Sequence, residues 1–157
     1  MENYSTLIRT DRYPVIWGDS VDGFPPAGYE FACALKNKLD ERVQTQHHSA
    51  FTDTSFQDTY EWYFWVNYKE DTYYFNLLAC ITEYTPPYWL ITFHKWVSRG
   101  LAGCLPIVNR FISKPDYSID PDFVTIVEES VKSLSGLDSI EWGTHEEKYN
   151  TLMDLID

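Results

Sequence analysis

A run of aromatic residues near the middle of the chain, TYEWYFWVNY at positions 59–68, constrains the fold more than any other feature of the sequence. Successive side chains of a β-strand point to opposite faces of a sheet, so residues of equal parity share a face. One face of this run would carry Tyr60, Trp62, Phe64, Val66 and Tyr68, and the other Glu61, Tyr63, Trp65, Asn67 and Lys69. The pattern predicts a strand with aromatic rings on both faces. Burial in a single core explains the rings on only one of them.

The next run, TYYFNLLACIT, alternates in the same way and follows the polar residues KED. Pairing Tyr68 with Tyr73 brings the two apolar faces together, whereas a shift of one residue would separate them. In this register Phe64 lies opposite Leu77. Because the connection lacks the Asn-Gly pair that favours tight hairpins, we expect a looser loop.

A third run, YWLITFHKWV, follows two prolines that fit the start of a strand. Pairing Ile81 with Trp89 continues the apolar face and completes an antiparallel β-meander over about residues 60–97. The other face then has mixed rows, which we expect either the C-terminal elements or a partner to cover. The predicted rows are Asn67, Tyr74 and Trp96; Trp65, Asn76 and His94; Tyr63, Leu78 and Thr92; and Glu61, Cys80 and Leu90.

Two amphipathic helices flank the meander in sequence. The first spans about residues 26–43, with apolar residues at spacings of four: Phe31, Leu35, Leu39 and Val43. The second spans about residues 120–135, from an N-cap at Asp120 to a stop at Gly136. Its inward face comprises Phe123, Val127, Val131 and Leu134.

The end of the chain predicts a short strand followed by a last helix. LDSIEW reads as a strand added to a sheet edge, and Thr144 with Glu147 forms a capping box that opens the C-terminal helix. That helix has one face comprising Tyr149, Leu152, Met153 and Ile156. Near the N-terminus, YSTLIRT and YPVIW are candidate short strands, and LAGCLPIVNRFI fits either a buried strand or a helix. We predict an α+β fold in which residues 1–157 form a single globular domain.

Charge restricts the classes of partner. The chain has a net charge of −12, and residues 116–157 contribute −9 of it, from eleven acidic and two basic side chains. Such a field disfavours binding to nucleic acid and to anionic membranes, and it fits either a solubilising face or a docking surface for a protein partner with a basic surface. The chain shows neither a membrane-spanning apolar segment nor a signal-peptide pattern, so we expect a cytoplasmic protein.

Catalytic and metal-binding motifs are weak throughout the sequence. Cys33, Cys80 and Cys104 are widely spaced and form no CxxC pair. Adjacent His47 and His48 with Asp53 lack the geometry of a zinc site, and HEEKY lacks the second histidine of a zinc-protease helix, which makes His145 and Glu146 first-turn helix residues. We therefore predict no cofactor, no metal and no catalytic residue. The alternative is a small enzyme or ligand-binding domain that uses Trp65, His94 and Cys80 on the second sheet face.

Aromatic side chains on a sheet face, combined with an acidic C-terminal third, are typical of a protein-binding surface. The predicted partner-binding residues are Tyr63, Trp65, Tyr74, His94, Trp96, Glu128, Glu129, Glu146 and Glu147.

The order of GYEFACALKNKL, WYFWVNYKEDTYYFNLLACI, PPYWLITFHKW and LDSIEW over residues 28–142 resembles small bacterial α+β domains, and in size and acidity the chain is similar to immunity proteins of bacterial toxin systems. The resemblance implies a cytoplasmic, non-catalytic inhibitor that binds one cognate toxin. A second alternative is an assembly or chaperone-like interaction subunit.

Overall fold

A computed structural model describes residues 3–13, 29–43, 61–80, 88–97 and 116–156. Within these ranges the chain forms five strands and three helices. In chain order they are β1 (Tyr4–Arg9), α1 (Tyr29–Val43), β2 (Glu61–Tyr68), β3 (Asp71–Cys80), β4 (Tyr88–Trp96), α2 (Pro121–Ser135), β5 (Trp142–Gly143) and α3 (His145–Ile156).

The described strands form one antiparallel sheet in the order β2-β3-β4-β1-β5. The predicted α+β class and the meander β2-β3-β4 are confirmed. YSTLIRT supplies β1, which pairs with β4, and the end of LDSIEW supplies β5, which pairs with β1 at the sheet edge. The first and last strands of the chain therefore lie side by side.

The β2–β3 hairpin closes more tightly than the sequence predicts. Tyr68 pairs with Asp71, which leaves a turn of only two residues, Lys69 and Glu70. Lys69 has a φ of 54°, the positive value that mirror-image hairpin turns require. The predicted Tyr68–Tyr73 pairing and the looser loop are wrong.

The β3–β4 register is shifted from the predicted one in the same way. Trp89 pairs with Ala79 rather than with Ile81, which lies outside the described residues. Because each register moves by two residues, every side chain keeps its predicted face while its neighbours change. The second-face rows are Asn67, Thr72 and Trp96; Trp65, Tyr74 and His94; Tyr63, Asn76 and Thr92; and Glu61, Leu78 and Leu90.

The core lies between the predicted apolar sheet face and the first two helices. Phe64, Phe75 and Phe93 stack across three strands, with ring centroids 4.8 Å and 5.2 Å apart. On α2, Phe123 stacks on Tyr73 at 4.0 Å, with its side chain fully buried. The predicted α1 stripe is also buried at Phe31, Leu35, Leu39 and Val43.

Helix α2 begins and ends at the predicted caps. Asp120 accepts a hydrogen bond from the backbone N–H of Asp122 at 2.9 Å. Gly136 has a φ of 73° and donates its N–H to the carbonyl of Lys132. Lys69 donates to Asp120 at 2.6 Å, and this bond lowers the pKa of the carboxyl below its usual value. The hairpin turn is thereby tied to the start of α2.

Helix α3 lies against the second sheet face, over β1 and β4. Thr144 Oγ1 accepts a hydrogen bond from the N–H of Glu147 at 3.2 Å, which is the N-cap bond of the predicted capping box. Leu152 is fully buried, whereas Tyr149, predicted on the same face, is 40% exposed. The expected cover by a C-terminal element is therefore present over this part of the sheet.

Several sequence predictions lie outside the described residues: the helix start at 26–28, YPVIW beyond Tyr13, LAGCLPIVNRFI, Cys104, and His47, His48 and Asp53. Among the helices in the described ranges, none has the length and apolar composition that crossing a bilayer requires.

Candidate functional site

The second face of β2, β3 and β4 carries a continuous aromatic cluster around Tyr74. Its ring lies 5.7 Å from that of Tyr63, 5.4 Å from that of Trp65, 5.2 Å from that of His94 and 6.4 Å from that of Trp96. These are the distances of ring pairs in contact, and the arrangements are stacked, edge-on or tilted. All five predicted aromatic and histidine residues are thus brought together, and we name them the Tyr74 cluster.

Exposure varies across the Tyr74 cluster. Trp96, at the end of β4, is 53% exposed, while the other four side chains are half-buried. Burial lowers the pKa of His94 from its ordinary value, because the charged imidazolium would lose hydration. The surface therefore has an accessible ring beside a neutral, partly desolvated imidazole.

The first turn of α3 is attached to the sheet next to this cluster. His145 Nδ1 is 3.1 Å from Thr92 Oγ1, and Thr92 Oγ1 is 2.9 Å from Ser5 Oγ. Thr92 lies two residues before His94 on β4, so both side chains are on the same face. This chain of hydrogen bonds ties the first turn of α3, where Glu146 and Glu147 are exposed, to β4 and β1.

The two predicted carboxylates of α2 lie on the other side of the sheet. Helix α2 packs on the core face through Phe123. The sheet therefore lies between Glu128 and Glu129 on one side and the rings of the Tyr74 cluster on the other. Both are also engaged locally, Glu128 with Lys132 and Glu129 with Arg42. Of the nine predicted residues, the structure brings together the five of the cluster. It places Glu146 and Glu147 at the start of α3, near β1 and β5, and the α2 pair on the core face.

The structure also separates the members of the alternative reactive cluster. Trp65 and His94 both contact Tyr74, but Cys80 pairs with Tyr88 at the other end of β3. Six residues along a strand correspond to roughly 20 Å, far beyond hydrogen-bond reach. In the part of the chain that the structure describes, no group of three or more His, Cys, Asp or Glu side chains is placed to bind a metal ion.

Sequence reasoning missed a cleft at the sheet edge, formed where β1, β5 and α3 meet. It has a volume of about 680 Å³, and Asn3, Tyr4, Trp142, Glu146 and Glu147 are among its lining residues. Its walls come from the two ends of the described chain, so local sequence patterns carry no signal for it. The carboxylates of the α3 first turn thus lie at this cleft.

Comparisons with protein-family models, with curated proteins and with solved structures each found no match.

Proposed function

We propose that this chain is a non-catalytic protein-binding domain whose Tyr74 cluster docks a partner with a basic surface. The observation that carries the proposal is the convergence of Tyr63, Trp65, Tyr74, His94 and Trp96 on one sheet face, with Trp96 53% exposed. Aromatic side chains are enriched at binding hot spots because each provides a large contact area with few rotatable bonds.

Charge supports a basic partner. The chain has a net charge of −12, and Glu146 and Glu147 are exposed on α3, which packs on the same sheet face as the cluster. Such an arrangement accelerates encounter with a positively charged surface and disfavours acidic competitors. Glu128 and Glu129 contribute to the overall field but are offset locally by Lys132 and Arg42.

The specific role that we propose is that of an immunity protein, acting in the cytoplasm, which neutralises a cognate bacterial toxin by binding it. The acidity of the chain and its resemblance to immunity proteins support this role. A non-catalytic inhibitor needs only a docking surface, and the Tyr74 cluster is the surface that we propose for it.

The proposal is tested by affinity capture from the native host with the wild-type chain, Trp96→Ala and Leu155→Ala. Leu155 is a matched control because it is also apolar and exposed (43%), but lies on α3. We expect a basic protein that is retained by wild type and Leu155→Ala and lost with Trp96→Ala. Equal retention by all three variants would rule out docking through the cluster.

Binding kinetics and co-expression separate the general role from the specific one. Glu146→Gln with Glu147→Gln should slow association and flatten its salt dependence, whereas Trp96→Ala should mainly speed dissociation. The matched pair Glu128→Gln with Glu129→Gln should have a smaller effect on association.

If the partner is a toxin, its expression stops growth and co-expression of the wild-type chain restores it. A harmless partner would favour an assembly or chaperone-like subunit instead.

A further inference from the structure

The cleft at the sheet edge combines two aromatic rings with two carboxylates. Tyr4, at the start of β1, and Trp142, on β5, contribute the rings, and the first turn of α3 contributes Glu146 and Glu147. The volume of about 680 Å³ lies within the range of pockets that bind small ligands. It is ample for one long side chain with its polar end group.

Two polar atoms of the lining residues are buried without a hydrogen-bond partner. Asn3 Oδ1 and Trp142 Nε1 are both shielded from solvent, and neither has a partner. Buried polar atoms in folded proteins are almost always paired, because an unpaired one retains the full cost of its desolvation. Asn3 Oδ1 is an acceptor and Trp142 Nε1 a donor, and both lie behind the surface of the cleft, so neither defines the ligand.

The local charge selects a cation. One ammonium, that of Lys148, offsets part of the negative charge of three carboxylates, those of Glu141, Glu146 and Glu147. It lies 3.4 Å from Glu141 and 3.8 Å from Glu147. Three carboxylates and one ammonium leave a net charge of about −2, which outweighs the partial positive charge of roughly +0.5 at the helix N-terminus. An anionic ligand is therefore disfavoured.

The close approach of α3 to β5 holds one of these carboxylates over the cleft. A methyl group placed on Gly143 would lie 2.7 Å from Glu147 Oε2 and 2.8 Å from Lys148 Cε, so it would displace the ends of these two side chains.

We propose that this cleft receives an arginine side chain of the partner. A planar guanidinium stacks on an aromatic face and donates several N–H groups at once, so it can bind a carboxylate and a ring together. An ammonium lacks the plane needed for stacking, which favours arginine over lysine. That the arginine belongs to a partner protein rests on the proposed function; the ligand chemistry rests on the cleft itself.

The test is a titration of the isolated ¹⁵N-labelled chain with N-acetyl-L-arginine amide, followed by NMR. We expect saturable shifts of the Trp142 indole N–H and the α3 first-turn amides. N-acetyl-L-citrulline amide, which has nearly the same shape without the charge, should cause none of them. Glu146→Gln with Glu147→Gln should weaken arginine binding by about tenfold, the value of one charge-assisted hydrogen bond. The matched pair Glu128→Gln with Glu129→Gln should leave it unchanged.

Three results would overturn the proposal: equal shifts with citrulline amide, an affinity unaffected by loss of Glu146 and Glu147, or shifts confined to other parts of the chain. Gly143→Ala gives a further check, because displacing Glu147 should weaken arginine binding while the fold, monitored by the other tryptophan indole signals, is retained. Because the probe is a small molecule and the chain is alone, failure of this titration would leave partner capture by the Tyr74 cluster unaffected. Failure to capture a partner would likewise leave the titration intact.

Discussion

Tyr74 and His94 face each other across β3 and β4, with ring centroids 5.2 Å apart and planes tilted by 46°. Burial in this environment lowers the pKa of His94, so the folded chain resists its protonation. The unfolded chain protonates the same histidine near pH 6.5. As the pH falls through that value, the unfolded state binds more protons than the folded one, and the free energy of unfolding decreases.

We therefore expect urea denaturation to show lower stability as the pH is lowered from about 7 towards the folded-state pKa of His94. His94→Asn, which cannot titrate in this range, should flatten that part of the profile. The residual slope reports the other titrating groups. An NMR titration that gave His94 a pKa at or above about 6.5 would contradict the prediction.

The sheet face on which each strand residue lies was predictable from the sequence, whereas the pairing of residues between strands was not. Alternation assigns Trp62, Phe64 and Val66 to the core face, and all three are buried there. The hairpin register depends on the turn. Lys69 adopts a positive φ there, and a lysine in a sequence does not predict that conformation. A shift of two residues leaves the faces intact, so the core was predicted correctly although the pairs were wrong.

The candidate site was predictable only in part for a related reason. Rings on the second face had to lie near one another, because strands of a meander are adjacent. A helix, in contrast, can pack on either side of a sheet. Its amphipathic pattern identifies which of its residues are buried but does not indicate the sheet face on which the helix packs. Glu128 and Glu146 are both on amphipathic helices, yet α2 lies on the core face and α3 on the other.

Phe123 is the central contact between α2 and the sheet. Its ring lies 4.0 Å from Tyr73 and 5.1 Å from Tyr68, and it is fully buried. Phe123→Ala should lower the free energy of unfolding by about 3–5 kcal/mol in urea denaturation, because it removes buried area and leaves a cavity. Phe123→Leu, which refills part of the space, should cost clearly less. Equal losses for the two variants would contradict the cavity explanation.

Thr144 caps α3 and thereby orients the first-turn carboxylates. Thr144→Ala removes the 3.2 Å hydrogen bond to the N–H of Glu147 and should cost about 1 kcal/mol of stability. Thr144→Ser keeps the hydroxyl and should restore most of it. Thr125→Ala is a control of the same chemistry, since exposed Thr125 bonds to the carbonyl of Pro121 within its own helix. It should change stability by less than about 0.5 kcal/mol. A loss at Thr125 as large as that at Thr144 would argue against capping.

Thr92 joins the sheet to α3 through a buried hydroxyl. It is 7% exposed and bonds to Ser5, which is fully buried, at 2.9 Å and to His145 at 3.1 Å. Thr92→Val keeps the side-chain shape but leaves the Ser5 hydroxyl without this partner, so we expect a loss of roughly 1–3 kcal/mol in urea denaturation. Amide exchange should also accelerate in α3, because its link to β4 is broken. Thr92→Val combined with Ser5→Ala removes both partners of the buried bond and should recover part of the lost stability. Losses that simply add in the double variant would show that the two hydroxyls act independently. Unchanged amide exchange in α3 would show that the Thr92–His145 bond does not hold α3 against the sheet.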